Sequence, residues 1–365
     1  MTKPMIKNNR IIFLFIFLIA VLAGCRDGAL QTETHPFPQA DSQNIDGEQL
    51  VRAFNNAETI DALQGLAVAR NNVLVAERYY HNANPEADPN IHVMSVTKSI
   101  SATLVGIAID KGFIQSVEQT VSDFLGAEVD TVNPALGQVT IHQLLTMTCG
   151  HDWHEIGSES EFMDFFTAPD QLNYILNKPI VNPPGTVFNY SDGAAHLISV
   201  ILSKATGMDA SAFANQYLFG PMGLGERIWY KDKRLFAYGG VGLCIGNLDM
   251  IKIGFLYLNQ GYFNGKQIVP SAWIQRATGF QMATHYIIPF LTDYGYYWWL
   301  GNAHGHDFIC ANGYGGQFIF IVKDLNLVVS SRTDYRGITR AKANENWYNV
   351  LTIIINQILP AVREM

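Results

Sequence analysis

The chain has few cysteines, and an odd number of them lies beyond the N-terminal segment. Four cysteines occur in 365 residues, and three of them, Cys149, Cys244 and Cys310, lie far from the N-terminus among small or apolar neighbours. An odd number argues against a framework of disulfides. We therefore predict three buried free thiols, with a catalytic cysteine as the weaker alternative.

Charged residues are also scarce, and positive charge is never concentrated. Only 15% of the residues are Asp, Glu, Lys or Arg, and the formal net charge is -8. The absence of a stripe rich in lysine and arginine argues against nucleic acid as a partner. No internal repeat or low-complexity tract occurs, whereas hydrophobic residues reach 48%, enough for a sizeable core in one large domain or two ordinary ones.

The one long hydrophobic run, residues 11–24, is too short to cross a bilayer comfortably. It follows the basic stretch "MTKPMIKNNR", a combination that indicates a secretory signal over 1–24. The run ends in "LAGC", which resembles a bacterial lipobox with Cys25 as the lipidated residue. The alternatives are an ordinary signal peptide, or an uncleaved anchor, with a chance cysteine. We expect a polar tether over 25–45, a domain over 46–365, and a lipid anchor on the extracytoplasmic side of the cell envelope.

Strand patterns lie at both ends of the domain and helical patterns lie between them. Residues 63–70 and 73–81 predict two strands around an Asn-Asn turn. Residues 95–112 predict a helix that Gly112 can cap. Three strand-like segments follow residue 290, and a helix closes the chain near 341–359. We predict an α+β fold in which both chain ends form one antiparallel sheet, with flanking helices and an inserted helical region.

The stretch "HVMSVTKSI" places Ser95 and Lys98 three positions apart, so on a helix they share a face. If the helix starts at Ser95, the partial positive charge of its N-terminus and burial would both lower the pKa of Lys98. A neutral lysine could then activate the serine hydroxyl as a nucleophile. The alternative is a chance match, because Ser-x-x-Lys occurs about once in a chain of this size.

Two further stretches carry candidate groups. The turn "NPPGT" delivers Tyr190 just before a helix, where its phenol could relay a proton, although a core tyrosine is the simpler interpretation. In "CANGYGGQFIFIV", glycines 313, 315 and 316 would let a strand edge approach a ligand closely. A backbone N–H there could stabilise an oxyanion, and the alternative is a β-bulge or a hairpin turn.

Taken in order, Ser95-x-x-Lys98, Tyr190-Ser191-Asp192 and the glycine-rich strand resemble the serine β-lactamase and penicillin-binding-protein superfamily. The closer likeness is to its class C branch, which includes esterases, D-aminopeptidases and 6-aminohexanoate-dimer hydrolases. The resemblance covers about residues 50–360 and implies the β-lactamase/transpeptidase-like fold.

The resemblance also implies roles for individual residues. Ser95 would be the acylated nucleophile, Lys98 its partner in proton transfer, and Tyr190 the general base or relay. The backbone N–H groups of Ser95 and Tyr314 would form the oxyanion hole. No cofactor or metal is implied, and the substrate would be a small-molecule or peptide-like ester or amide.

Two positions depart from the family pattern. Asp192 stands where an asparagine is frequent, and Ala311-Asn312-Gly313 stands where Lys-Thr-Gly is frequent. Ala311 cannot hold a substrate carboxylate, and an ionised Asp192 would repel one. Together with Asn312, Gly313 and Tyr314, Asp192 is a candidate oxyanion or substrate-binding residue. These departures favour a neutral ester or amide over efficient β-lactam or D-Ala-D-Ala cleavage.

Two other functions remain open. "CGHDWHE" contains His151, Asp152, His154 and Glu155, which could bind a metal, but their close spacing in a loop fixes no geometry. The rival to a serine hydrolase is a protein that is acylated, or merely occupied, by cell-wall fragments or β-lactams and deacylates slowly or not at all. Deacylation distinguishes the two, because an enzyme turns over and a sensor stalls.

Overall fold

The computed structural model describes residues 36–83, 91–155, 159–285 and 288–363. The predicted signal peptide, residues 1–24, and the predicted lipidation site, Cys25, lie outside these described residues. The same is true of the first part of the predicted tether.

One eight-stranded antiparallel sheet organises the domain, in the order β2-β1-β10-β9-β8-β7-β6-β5. The N-terminal strand β1 pairs with β10, with Val68 opposite Val329, so both ends of the chain meet in one sheet as predicted. A separate hairpin contains β3 and β4. The strands are β1 Leu63–Arg70, β2 Val73–Tyr79, β3 Tyr262–Phe263, β4 Lys266–Gln267, β5 Met282–Ala283, β6 Asp293–Tyr294, β7 Trp299–Ala303, β8 His306–Gly313, β9 Gln317–Val322 and β10 Leu327–Thr333.

The glycine-rich segment forms a full strand of this sheet. The sequence suggested that the segments of β7, β9 and β10 are neighbours, but β8 lies between β7 and β9. The register places Ala311 opposite Ile319 and Asn312 opposite Phe318. Because side chains alternate between the two faces of a strand, Ala311 and Asn312 face opposite sides of the sheet.

Helices cover both faces of the sheet. The helices are α1 Gly47–Ala57, α2 Val96–Asp110, α3 Val121–Leu125, α4 Ala127–Asp130, α5 Pro134–Gly137, α6 Ile141–Leu145, α7 Glu159–Thr167, α8 Gln171–Leu176, α9 Asp192–Thr206, α10 Ala210–Ala214, α11 Asn247–Leu258, α12 Ser271–Ala277 and α13 Arg340–Ile353. Helices α2 and α11 pack on β8–β10, and Ser330 of β10 donates to the Asn247 carbonyl at 3.0 Å. On the other face, Trp347 of α13 lies against Phe318, with ring centroids 5.9 Å apart.

The inserted helices are centred on two nearly fully buried segments. Helix α2 is buried from Val96 to Ala108, and α9 is buried from Asp192 to Leu202. These two helices pack directly on each other. Helix α9 ends at Gly207, whose left-handed conformation, with φ of 69°, caps the helix C-terminus. The pair therefore forms a rigid support for any residue at its N-terminal ends.

The predicted tether extends too far into the domain. Within 36–45, the side chains of Phe37, Ala40 and Ile45 are buried, and Ile45 forms a β-bridge with Val362. Apolar contacts thus hold this segment against the domain. The packed part of the chain begins before residue 46, and only the residues ahead of 36 remain as a predicted tether.

The three cysteines beyond residue 25 are buried free thiols, as predicted. Among the described helices, none by itself is long and apolar enough to span a membrane. Two consecutive helices, Asp192–Thr206 and Ala210–Phe219, are bent by 74° relative to each other. They reach the length and apolar composition of a membrane span only when they are counted as one segment.

Candidate active site

Ser95 lies immediately before α2, at the point where a tight loop turns into the helix. Met94 ahead of it has a φ of 48°, a left-handed conformation that is uncommon for a residue with a side chain. The loop is held in place because the Val93 N–H donates to the Leu243 carbonyl at 2.8 Å and Arg332 Nη2 donates to the Ile91 carbonyl at 2.9 Å. Ser95 remains partly exposed while the helix behind it is buried, so its hydroxyl is at the surface of a rigid element.

Lys98 points at Ser95 and is itself buried, with an exposed fraction of 1%. Its Nζ lies 3.0 Å from Ser95 Oγ and 3.3 Å from the Gly240 carbonyl oxygen, and it forms an ion pair with Asp192 Oδ1. A lysine ammonium has three N–H donors and no acceptor. Three acceptors surround Nζ, so the geometry matches a charged lysine that donates to all three.

This arrangement corrects the prediction that Lys98 has a lowered pKa. Burial does act in the predicted direction, because desolvation disfavours the ammonium. The negative charge of Asp192, with smaller contributions from Tyr190 and Glu155, outweighs burial and raises the pKa of Lys98 above its ordinary value. The sequence could not reveal this because Asp192 is 94 positions away along the chain.

Tyr190 completes the cluster from the turn before α9. Its ring lies under the Lys98 ammonium, with Nζ 4.6 Å from the ring centroid, and it stacks on Trp299 at 5.8 Å. The Tyr190 hydroxyl is hydrogen-bonded to the Ser95 side chain. Burial raises the pKa of Tyr190 to about 12, although the Lys98 charge opposes this shift. The structure thus brings Ser95, Lys98 and Tyr190 together, as the sequence predicted.

Asp192 has a different environment from the one expected. Its carboxylate is 1% exposed, and one oxygen is bound to Lys98. The expected repulsion of a substrate carboxylate by Asp192 is therefore wrong in its simple form, because Lys98 balances the charge. Asp192 Oδ2 is also buried and has no hydrogen-bond partner among the described residues.

Glu155 is a second carboxyl group in the site, and sequence reasoning missed its place there. Its Oε2 accepts from the Asp192 N–H at 2.7 Å and from Trp153 Nε1 at 3.0 Å. Burial, reinforced by the Asp192 charge, raises the pKa of Glu155 to about 8. At neutral pH the carboxyl is therefore mostly protonated. The sequence singled out Glu155 only as one of four possible metal ligands.

Those four residues do not converge on a common point. His151 Nε2 lies 2.8 Å from Ser191 Oγ, His154 pairs with Asp152 at 2.7 Å, and Glu155 binds the start of α9. In the described parts of the chain, no group of three or more His, Cys, Asp or Glu side chains is arranged to hold a metal ion.

Close backbone approaches explain two glycines around the cluster. A side chain at Gly240 would overlap Asp192 Oδ1 and lie 3.1 Å from Lys98 Nζ. A Cβ at Gly313 would lie 2.6 Å from the Val93 carbonyl oxygen, so β8 runs directly beside the loop that carries Ser95. Sequence reasoning identified Gly313 but not Gly240, although "GGVGLCIG" was visible as a glycine-rich stretch.

The side chains of Ala311 and Asn312, the neighbours of Gly313 in the glycine-rich strand, lie on opposite faces of β8. Ala311 is fully buried on the face that α2 covers. The Asn312 side chain lies on the other face, where its Oδ1 accepts from Trp347 Nε1 at 2.6 Å. The side chain of Asn312 is therefore turned away from the Ser95 side of the sheet, and any role there falls to its backbone. The ring of Tyr314 lies 6.2 Å from that of Tyr335, and the predicted oxyanion role of its N–H stays a prediction.

Comparison with known proteins identifies the family of the chain. The Beta-lactamase family model matches residues 49–346. The chain therefore belongs to the beta-lactamase family, a family of serine hydrolases and penicillin-binding proteins. The match spans both halves of the sheet and the inserted helices, including Ser95, Lys98 and Tyr190.

Individual relatives are distant. The chain is 25% identical over 240 residues to an uncharacterised protein from Alkalihalophilus pseudofirmus, covering 59% of this chain and 64% of that protein, just under two thirds. It is 25% identical over 293 residues to the 6-aminohexanoate-dimer hydrolase of Paenarthrobacter ureafaciens, covering 73% of this chain and 69% of the relative.

Among solved structures, a candidate 6-aminohexanoate-dimer hydrolase from Bacillus anthracis superimposes with a TM-score of 0.68 at 21% identity. That alignment covers 83% of this chain and 81% of the other. This likeness supports the predicted β-lactamase/transpeptidase-like fold.

Proposed function

We propose that the protein is a serine hydrolase that cleaves an ester or amide through an acyl-Ser95 intermediate. One observation carries the proposal: Ser95 Oγ lies between the Lys98 ammonium, at 3.0 Å, and the hydroxyl of Tyr190. A nucleophile, a cation and a proton acceptor in hydrogen-bond contact form the minimum set for acyl transfer.

The hydrogen bonds suggest how the proton moves. Lys98 donates to Ser95 Oγ, so the serine proton is directed to Tyr190 Oη. As Ser95 Oγ bonds to the substrate carbonyl carbon, the ionised Tyr190 phenolate accepts that proton, and the resulting phenol later gives it to the leaving alcohol or amine. The nearby Lys98 charge stabilises the phenolate, which has to form before this step. Water then attacks the acyl-enzyme in the reverse sequence, and the N–H groups of Ser95 and Tyr314 are the proposed oxyanion donors.

We infer that the preferred substrate is a neutral ester or amide. The inference depends on Ala311, which provides no cation at the position where many relatives have a lysine. An amide also accords with the name of the Paenarthrobacter ureafaciens relative, a hydrolase of the 6-aminohexanoate dimer, whose two units an amide joins.

The test is turnover of p-nitrophenyl esters, D-amino-acid amides and a chromogenic cephalosporin by wild type and two variants. We expect Ser95→Ala to abolish turnover and Tyr190→Phe to reduce kcat about 10²- to 10⁴-fold, the usual contribution of a general base. Tyr262→Phe, on the exposed β3–β4 hairpin, is the matched control and should behave like wild type. Wild-type rates in folded Ser95→Ala would reject the proposal.

A slowly deacylating sensor remains the rival function, and mass spectrometry distinguishes it. An enzyme would show little accumulated acyl adduct at steady state and continuous product release. A sensor would show a stoichiometric adduct on Ser95 and a burst that stops after one equivalent.

We also propose that the mature protein is anchored to a membrane through lipid on Cys25. The motif "LAGC" after a basic and apolar leader supports this proposal. Radiolabelled palmitate should enter the wild type but not Cys25→Ser, and only the wild type should partition into detergent. Equal labelling of the two proteins would reject the anchor.

A further inference from the structure

A cleft lined by aromatic side chains includes His92, from the loop that leads into Ser95. Five rings form its walls, those of His92, Phe166, Tyr230, Tyr238 and Tyr335, and the backbone of Val241–Gly242 also lines it. Its volume is about 410 Å³. An apolar cavity of about 150 Å³ is enough to hold benzene, so this cleft can hold an aromatic ring together with the atoms that link it to a reacting group.

Two backbone segments that line the cleft also lead to residues of the catalytic cluster. His92 is three residues ahead of Ser95, and Val241–Gly242 directly follow Gly240, whose carbonyl oxygen contacts Lys98. The Gly242 N–H donates to His92 Nδ1 at 3.4 Å, which joins the two segments. The charge of Asp192 also acts on His92, as expected for neighbouring groups.

The opposite wall connects to the predicted oxyanion strand. The ring of Tyr335 lies 5.4 Å from that of His92 and 6.2 Å from that of Tyr314, at the β8–β9 turn. A substrate whose carbonyl lies between Ser95 and Tyr314 therefore has the aromatic cleft as its neighbouring space.

The rings are held in place rather than loosely exposed. The Tyr230 N–H donates to the Gly242 carbonyl and the Tyr238 N–H donates to the Tyr230 carbonyl, each at 3.0 Å. Tyr238 packs on Phe166 with ring centroids 4.9 Å apart, and His92 lies 6.0 Å from Tyr230. Tyr230 is nevertheless 42% exposed, so an aromatic surface is available to a ligand.

The cleft contains little uncompensated charge. Burial lowers the pKa of His92 to about 4, so its imidazole is neutral at pH 7. Burial also raises the pKa values of Tyr238 and Tyr335, which keeps both phenols neutral. The one charged residue in the described lining, Arg336, is paired with Asp334 at 2.8 Å. Flat apolar groups gain from contact with such walls, whereas ions would lose hydration without a counter-charge.

We propose that this cleft binds an aromatic group of the substrate, next to the ester or amide bond that Ser95 attacks. The inference rests on the proposed hydrolase function and narrows it to neutral aryl-bearing esters or amides. Tyr230 and Tyr335 are its specificity-determining residues, because their rings lie 6.0 Å and 5.4 Å from that of His92, which belongs to the loop that leads into Ser95.

The test compares methyl phenylacetate with methyl cyclohexylacetate, and benzyl acetate with cyclohexylmethyl acetate, by pH-stat titration. The members of each pair differ only in whether the ring is flat and aromatic, and the pairs place the ring on the acyl or the alcohol side. We expect kcat/KM to be about 3- to 10-fold higher for the aromatic member of at least one pair. Tyr230→Leu or Tyr335→Leu should bring the ratio of kcat/KM values close to one. Tyr348→Leu, at an exposed position of α13, should leave the ratio unchanged.

Calorimetry separates the cleft from the catalysis. Ser95→Ala should bind N-benzylacetamide, and the double variant Ser95→Ala/Tyr335→Leu should bind it at least 3-fold more weakly. Binding without turnover of any ester by wild type would support the cleft and reject the hydrolase. Turnover with equal rates for aromatic and cyclohexyl members, or a ratio insensitive to both tyrosine substitutions, would overturn the cleft and leave the hydrolase standing.

Discussion

Replacing Glu155 with glutamine should change how the stability of the protein depends on pH. Glu155 is held in a largely buried position by the Asp192 N–H and Trp153 Nε1, and its pKa is raised from 4.5 to about 8. Between these two values the folded state binds a proton that the unfolded state has released. Stability from this group is therefore greatest below pH 4.5 and is lost as pH rises through 8.

The size of the effect follows from the same two values. Each tenfold change in proton affinity corresponds to about 1.4 kcal/mol, so the full difference is about 5 kcal/mol. Because part of the Glu155 side chain still contacts solvent, we expect roughly 2–4 kcal/mol to be observed. Glutamine has nearly the same shape, and its carbonyl oxygen can accept the same two hydrogen bonds without ionising.

The assay is urea denaturation of wild type and Glu155→Gln at intervals from pH 5 to pH 9. The informative quantity is the difference in unfolding free energy between the two proteins, because His92 and other titrating groups are common to both. This difference should move in favour of the variant by roughly 2–4 kcal/mol as pH rises. Glu226→Gln, which removes an exposed carboxylate, should give a flat difference. A flat difference for Glu155→Gln would refute the argument.

Three other variants test the cluster. Asp192→Asn leaves the Lys98 ammonium buried without its counter-charge. The free energy of unfolding at pH 6, measured by urea titration, should therefore fall by about 3–5 kcal/mol. A loss below about 1 kcal/mol would contradict a buried ion pair. Gly240→Ala should displace the same pair and reduce kcat/KM at least about 10-fold, and wild-type kinetics would show that the contact is not needed. Neutral esters should exceed matched carboxylate-bearing esters in kcat/KM, and Ala311→Lys should shift that ratio towards the carboxylate by roughly 10- to 150-fold, the value of one charge-assisted hydrogen bond. A preference of the wild type for the anionic ester would indicate another cation, such as Arg336.

The sequence predicted the features that depend on local pattern. The two strand-like segments 63–70 and 73–81 and the Asn-Asn turn between them identified the first hairpin, whose Asn71 and Asn72 both have positive φ. The spacing of Ser95 and Lys98 was enough to place both on one helix start. These predictions succeeded because the relevant forces act within a few residues along the chain.

The contacts that define the electrostatics of the site were not predictable in that way. Asp192 reaches Lys98 across 94 positions, and Gly240 reaches it across 142. Glu155 lies in a loop where neither strand nor helix period fixes the direction of a side chain. For the same reason the lowered pKa expected for Lys98 was wrong: the helix N-terminus and burial could be predicted from the sequence, but the opposing carboxylate could not.

The resulting charge balance sets the cost of activating Ser95. All three N–H donors of Lys98 are directed at acceptors, so Tyr190 is the group able to receive the serine proton. With a pKa of about 12, forming its phenolate at pH 7 costs about 7 kcal/mol. A turnover of about 10 per second corresponds to a total barrier of about 16 kcal/mol, so this cost fits within an ordinary enzymatic reaction. Asp192 acts in two opposing ways, because it keeps Lys98 charged beside the nucleophile and also raises the pKa of Tyr190. An asparagine at this position would remove both effects at once. The aspartate therefore keeps the lysine charged and makes the tyrosine phenol a weaker acid. In the proposed mechanism, this leaves Tyr190 rather than Lys98 as the base.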